Sequence, residues 1–384
     1  MKQQFPVDTF QSLPTPFYYY DTDVLNNTLQ ALTKEADKYN YQLHYAVKAN
    51  ANPRILSLIR EYGLGADCVS GGEIRAALNA GFPADKIVFA GVGKADWEIN
   101  LGLDREIFCY NVESIPELEV INELAKKRGT RAQVALRMNP EVDAHTHHHI
   151  TTGTKEDKFG INRDQLEKVA DKLSALESIR LIGIHFHIGS QISDLEPFQK
   201  LCRRTVEIQE QLAKRGVKIE HINFGGGLGI DYENPDQNLI PDFKTYFELF
   251  HTFFPAEPYQ HIHFEPGRSV VGQCGSLISK VLFVKEGSFK KFVVLDAGFT
   301  ELIRPAFYGA YHQIENLSSE APEETYDVVG PICESSDCFA KARRLNKTER
   351  GDLVALRSAG AYGEIMASQY NCRKLPDTYF SDQL

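Results

Sequence analysis

Between about residue 22 and residue 270, short apolar runs rich in β-branched and aromatic residues alternate with longer amphipathic runs. That rhythm predicts repeated βα units. The short runs are Leu43 to Val47, Gly65 to Val69, Lys86 to Ala90, Glu106 to Tyr110, Ala132 to Met138, Leu181 to Ile188, His221 to Phe224 and His261 to Phe264. Helix starts are readable between them. Asn52 before Pro53 predicts a cap followed by proline at the first helical position, and Ser70 with Glu73, then Ser114 with Glu117, are capping-box patterns. Eight parallel strands with intervening helices over roughly 250 residues predict a closed (β/α)8 barrel of the TIM type. A doubly wound open sheet is the competing arrangement.

After Gly267 the texture changes. Leu277 to Lys285, Phe292 to Leu295, Tyr326 to Val329 and Leu353 to Leu356 are strand-like, but no regular helices separate them, which predicts a mostly antiparallel β domain. Phe17 to Tyr20 is expected as an amphipathic strand of that domain. The predicted organisation is therefore a barrel over 22–270 and a β-rich domain from 1–21 and 271–384.

Composition narrows the function. A chain of 384 residues, 42% hydrophobic, can bury one large core or two unequal ones. A formal charge of −10 and a pI near 5.7 argue against nucleic acid or an acidic membrane face as partner. No apolar run has the length of a membrane span, and the opening MKQQFPVDTF has no secretory pattern, so the sequence reads as cytoplasmic. Seven scattered cysteines read as reduced thiols rather than a disulfide framework. His145, His147, His148 and His149 form a loop-like run without cysteines or a helical i, i+4 pair, so no metal is assigned to them.

Chemistry in such barrels collects where strands end, with phosphate commonly held after the seventh and eighth. Lys48 follows the first predicted strand, Asp67 ends the second, His187 ends the sixth, Gly225 to Gly229 follow the seventh and Glu265 to Arg268 close the eighth. Each has an ordinary reading too: a solvated lysine, a structural histidine, a glycine-rich loop, a surface carboxylate before a turn. Their shared position favours function. A lysine partly withdrawn from water has more of the neutral amine that a carbonyl cofactor requires, and Asp67 could hold it in place. Glycines let a phosphate approach backbone N–H groups, with Gly267 and Arg268 completing the cradle. A carboxylate such as Glu265 keeps a pyridine nitrogen protonated, and the flat ring of His187 can pack on an aromatic cofactor.

With these residues in view, the chain resembles the fold-type III pyridoxal-phosphate decarboxylases, and within them the branch acting on meso-2,6-diaminopimelate. The resemblance spans nearly the whole chain. It rests on YAVKAN at Lys48, HFHIGSQI at His187, GGGLG at Gly225, EPGRSVV at Glu265, RPAFYGA at Arg304, CESSD at Cys333 and GAYG at Tyr362.

The resemblance implies an alanine racemase-like fold, a barrel with a C-terminal β domain, and pyridoxal 5'-phosphate held by Lys48 as a Schiff base. His187 would stack on the ring and Glu265 would meet its nitrogen. Gly225, Gly226, Gly227 and Gly229 with Gly267 and Arg268 would bind phosphate, and Asp67, Ser190, Pro266 and Tyr362 would also contact the cofactor. It further implies a homodimer with shared sites, in which Cys333 protonates the product carbon and Glu334 meets the distal ammonium of the partner's substrate. Arg268, Arg304, Tyr308 and Tyr362 would bind substrate, the two arginines and Tyr308 through its distal carboxylate.

The implied reaction yields L-lysine and carbon dioxide, the last step of lysine biosynthesis. The alternatives are a decarboxylase of carboxynorspermidine, ornithine or arginine, a racemase, or a non-catalytic cofactor-binding protein. Glu265 argues against the racemase, which would place an arginine at the pyridine nitrogen. Two departures stand out: Val92 in FAGVGK, where a polar residue is usual, and Asp296-Ala297-Gly298 in place of Asp-Gly-Gly.

Overall fold

A computed structural model of the chain describes residues 4–142 and 158–384. The histidines at 145 and 147–149 lie outside the described residues. The chain divides into two compact units, one of Leu29–Gly229 and Asp242–Gly267, the other of Met1–Thr28, Ile230–Pro241 and Arg268–Leu384.

The first unit is a closed barrel of parallel strands: β1 (Gln42–Ala46), β2 (Gly65–Cys68), β3 (Ile87–Phe89), β4 (Cys109–Val112), β5 (Ala132–Arg137), β6 (Ile179–His185), β7 (His221–Asn223) and β8 (His261–Phe264). Pairing of Leu43 in β1 with Phe264 in β8 closes it and rules out the open sheet. Asn52 caps the helix Pro53–Glu61 by accepting from Arg54 N, and Ser70 and Ser114 cap theirs by accepting from Glu73 N and Glu117 N. The first of these helices buries Ile55, Leu56 and Ile59, one apolar stripe of an otherwise polar segment.

The fourth strand starts later than the apolar pattern predicts. Glu106 takes a left-handed conformation after the helix Asp96–Arg105, and Ile107 N returns to Gly102 O at 3.1 Å. Ile107 therefore closes a helix end before the chain extends.

The barrel axis is polar. His44 Nδ1 lies 3.1 Å from Lys86 O, His44 Nε2 lies 2.9 Å from His263 Nδ1, and His263 Nε2 lies 2.9 Å from His221 Nδ1. Because a carbonyl only accepts, His44 carries its hydrogen on Nδ1, and each following imidazole must donate through Nδ1 to the one before. Three neutral rings thus satisfy one another. Burial holds His44 and His263 below the usual imidazole range and His221 at about 4.

The second unit is built on a sheet in which Ile314–Asn316, Leu353–Leu356, Gly275–Glu286, Lys291–Leu295, Glu323–Val329 and Cys338–Asn346 follow in order. Phe17–Tyr20 pairs antiparallel with Gly275–Glu286 and parallel with Asp377–Phe380. Most pairings are antiparallel, as expected. Phe17–Tyr20 is not amphipathic: all four residues are buried, and the phenols of Tyr18 and Tyr20 find partners in Glu301 O and Glu364 Oε2, each at 2.7 Å. Among the described residues no helix is long and apolar enough to cross a membrane.

The histidine column has a consequence for acid stability. A group whose imidazole pKa is lower in the folded state takes up its proton on unfolding, so its contribution to stability is full above about pH 6.5 and falls as pH drops toward the folded value. Asp67 and Glu73, both pushed up to about 7 mainly by burial, act in the opposite sense. Replacing His221 with Gln should therefore reduce the loss of unfolding free energy between pH 6.5 and pH 4 relative to wild type, measured by denaturant titration. Identical pH slopes would contradict the assignment.

Candidate active site

The carboxyl ends of the barrel strands carry a compact set of ionisable groups. Lys48 lies in a single 3-10 turn, Val47–Ala49, directly after β1. Asp67 is in β2, and His187 follows β6 by two residues. Asn223 ends β7, and Glu265 comes directly after β8.

Glu265 is only 5% exposed. Its Oε1 accepts from Asn223 Nδ2 at 2.6 Å and from Asn111 Nδ2 at 3.4 Å, while His185 Nε2 donates to Oε2 at 2.9 Å. Burial, the largest influence, pushes the Glu265 carboxyl up, and the charge of Lys48 and the hydrogen bond from Asn223 oppose it. Asp67 is buried as well, and among the described residues its Oδ1 has no hydrogen-bond partner. Its carboxyl is pushed up to about 7 by burial and then by Glu265, with Lys48 opposing. His187 is held well below the usual range by burial and by Lys48, so its ring is neutral. These opposed influences place Lys48 electrostatically among Asp67, His187 and Glu265. Farther round the same barrel, Glu113 holds Arg137 at 2.7 Å and accepts from Gly91 N and Gly160 N.

The glycine turn after β7 is required by close approach. A Cβ on Gly225 would sit 2.2 Å from Phe186 O, and one on Gly226 would sit 2.2 Å from Glu265 O. Gly225 N donates to Asn223 Oδ1 at 2.9 Å and Gly229 N to Ile192 O at 3.0 Å, so these two N–H groups hold the turn itself. Gly226 N points at His187 Nδ1 over 3.4 Å. Ser190 lies half-buried in the loop after β6. Pro266 O accepts from Ala46 N at 3.1 Å, and a Cβ on Gly267 would press on Ala46 Cβ at 3.0 Å.

In the β-rich unit Arg268 and Arg304 are both buried and share Tyr232. Arg268 Nη1 donates to Tyr232 Oη at 2.5 Å, and the Arg304 guanidinium lies 5.1 Å from the centre of the Tyr232 ring. Arg268 also stacks over Tyr362 at 4.9 Å. Arg304 Nη1 donates to His312 Nε2 at 2.8 Å, and His312 Nδ1 donates to Arg357 O at 2.8 Å. Burial would push the Tyr232 phenol up, but the two guanidinium groups bring it below its ordinary value. Tyr308 ends the short helix Arg304–Tyr308 and is half-buried. Cys333 and Glu334 are exposed, on the turn between Glu323–Val329 and Cys338–Asn346. All seven cysteines are free thiols.

Sequence reasoning passed over His185, Asn111, Asn223, Tyr232 and His312. For the barrel residues a signal existed: polar residues at alternate positions inside short apolar strands, as in His221 and Asn223 or His263 and Glu265, point along the barrel axis. Tyr232 and His312 carry no such periodic mark. A cavity of about 310 Å³ at the opposite end of the barrel, lined by residues including His44, Lys86 and His221, contains none of the Lys48 group. It lies at the end where strands begin, away from the end where barrel chemistry collects.

Residues 23–272 match the family described as pyridoxal-dependent decarboxylase, pyridoxal binding domain. The chain belongs to this family, and its cofactor is pyridoxal phosphate. The diaminopimelate decarboxylase of Bacteroides thetaiotaomicron is 64% identical over all of both chains. That of Aquifex aeolicus is 41% identical over 94% of this chain and 86% of its own. The crystal structure of diaminopimelate decarboxylase from Helicobacter pylori complexed with L-lysine superposes with a TM-score of 0.92 at 39% identity, covering 98% of this chain and 94% of that one.

The residues present fit the cofactor. Two buried carboxylates, one with an oxygen unpartnered among the described residues and its proton affinity raised by the other, call for a cationic nitrogen beside them. A glycine turn that excludes even a methyl group borders them.

Asn223 serves two partners, Glu265 and Gly225 N. Replacing it with Ala leaves a buried carboxylate short of its nearest donor and should cost about 2–3 kcal/mol of unfolding free energy. Denaturant titration checks this, and a loss too small to measure would contradict the arrangement.

Proposed function

We propose that this chain decarboxylates meso-2,6-diaminopimelate to L-lysine and carbon dioxide, with a homodimer as the working form in the cytoplasm. The observation that carries the reaction class is the buried Glu265 just after the last barrel strand, held by the uncharged donors Asn223, Asn111 and His185. Pyridoxal phosphate, when bound, supplies an electron sink for the pair left behind by carbon dioxide.

Lys48 Nζ would hold the cofactor covalently, as the amine that a carbonyl group requires. Glu265 would keep the ring nitrogen protonated, with Asn223, Asn111 and His185 keeping the carboxylate aimed. His187 would offer its neutral ring to the cofactor. Gly225, Gly226, Gly227 and Gly229, with Gly267 and Arg268, would take the phosphate, and Asp67, Ser190, Pro266 and Tyr362 would also contact the cofactor. Cys333 Sγ of one subunit gives a proton to the carbon that lost carbon dioxide in the other, then recovers one from solvent.

Substrate choice falls to Arg268, Arg304, Tyr308 and Tyr362, with Glu334 at the distal ammonium. Two guanidinium groups suit a carboxylate, and leaving them empty is costly, which disfavours ornithine.

The test is to incubate the purified protein and pyridoxal phosphate with meso-diaminopimelate, ornithine and arginine in separate reactions, measuring carbon dioxide and product. Turnover of ornithine without turnover of diaminopimelate would overturn the substrate assignment. Lys48→Ala should lose the covalent cofactor absorbance and all turnover. Cys333→Ala should lower kcat about 100-fold or more while leaving that absorbance intact.

A further inference from the structure

The turn that carries Cys333 and Glu334 is fixed at its base and exposed at its tip. Asp337 is 4% exposed. Its Oδ1 accepts from Phe299 N and its Oδ2 from Ile332 N, each at 2.7 Å. Gly330 is needed for this, because a Cβ there would sit 2.3 Å from Asp337 Oδ2. From Cys333 to Ser336 every residue is exposed. An exposed glutamate on such a tip ordinarily samples many rotamers.

Glu334 is instead held. Tyr370 Oη donates to Glu334 Oε1 at 2.7 Å, and Ser336 Oγ donates to Oε2 at 3.3 Å. Tyr370 is positioned in turn, because its ring stacks on Phe299 with centroids 5.9 Å apart and planes 22° apart. Phe299 N is the group that Asp337 holds. The base of the turn and the clamp on its tip therefore share one anchor. A hydroxyl donor leaves a carboxylate its full charge and occupies one of about four acceptor sites. Glu334 clamped by Tyr370 and Ser336 can still receive an ammonium group.

We propose that Tyr370 is a positioning residue that pre-orients Glu334 for the distal ammonium of the substrate, and so sets substrate affinity without touching the reacting atoms. This rests on the reading of Glu334 given above. Because the phenol acts before chemistry, its loss falls on binding.

The experiment compares wild type, Tyr370→Phe, Glu334→Gln and the double variant as holoenzymes, with steady-state kinetics on meso-diaminopimelate and a thermal melt of each. Tyr370→Phe keeps the ring on Phe299, so the melt should be unchanged. Its KM should rise about three- to tenfold, the effect of freeing one side chain, with kcat within about twofold. In the Glu334→Gln background the same substitution should add little, because the two act as one unit.

If Glu334→Gln raises KM while Tyr370→Phe leaves it unchanged, or if the two effects multiply in full, the role of Tyr370 is overturned and that of Glu334 stands. A loss in kcat alone for Tyr370→Phe overturns it too. If Glu334→Gln leaves KM unchanged, the Glu334 reading fails and the Tyr370 proposal with it.

Discussion

A carboxylate buried at the end of a barrel is the constraint around which the first unit is arranged. Removing an ionised carboxylate from water costs several kcal/mol unless its acceptor sites are filled. Glu265 meets that demand with two carboxamides and one imidazole, all uncharged. Burial and Arg137 hold His185 at about 3, so it donates as a neutral ring. Neutral donors steady a charge without cancelling it. Had Arg137 been the donor, the carboxylate would be paired with a full positive charge. Arg137 is instead bound to Glu113, which also accepts from the backbone N–H groups of Gly91 and Gly160.

The β-rich unit solves the complementary problem with the same device. A buried guanidinium needs an acceptor, and an uncharged one fixes its direction while leaving its charge intact. His312 is held at about 3 by burial and by Arg304, and its Nδ1–H is committed to Arg357 O. Its Nε2 can then only accept, and Arg304 donates to it. A carboxylate in the position of His312 would form a closed ion pair. A protonated histidine would repel the arginine. Burial of the imidazole secures the intermediate case, an acceptor that carries no charge.

The sequence makes the barrel legible because three helix starts are signalled by capping residues and each barrel strand overlaps a short apolar run, and those caps persist in the folded chain. Lys48, Glu265 and the glycine turn were legible for a related reason: they fall at strand ends, where barrel geometry concentrates function. The donors to Glu265 were not, because His185, Asn111 and Asn223 lie within strands, and a polar residue in an apolar run reads as noise until the axis is known to be polar. Three strands of the β-rich unit were missed for a different reason. Cys338–Asn346, for example, is an edge strand with only one neighbour, and its charged residues suit an edge while hiding the apolar signal.

The two departures from the family pattern show how geometry weighs a substitution that comparison of letters cannot. Val92 is 42% exposed, where a change from polar to apolar leaves packing untouched. In Asp296-Ala297-Gly298 the first glycine of the usual triplet is replaced, and Ala297 sits fully buried with its N–H donating to Ser279 Oγ at 3.1 Å, a place where a methyl group fills space. The second glycine could not be replaced so easily, since a Cβ on Gly298 would lie 2.9 Å from Asp337 Oδ2. That carboxylate anchors the base of the Cys333 turn. The chain thus varies the triplet at the position where side-chain volume is tolerated and retains glycine where a carboxylate must approach the backbone.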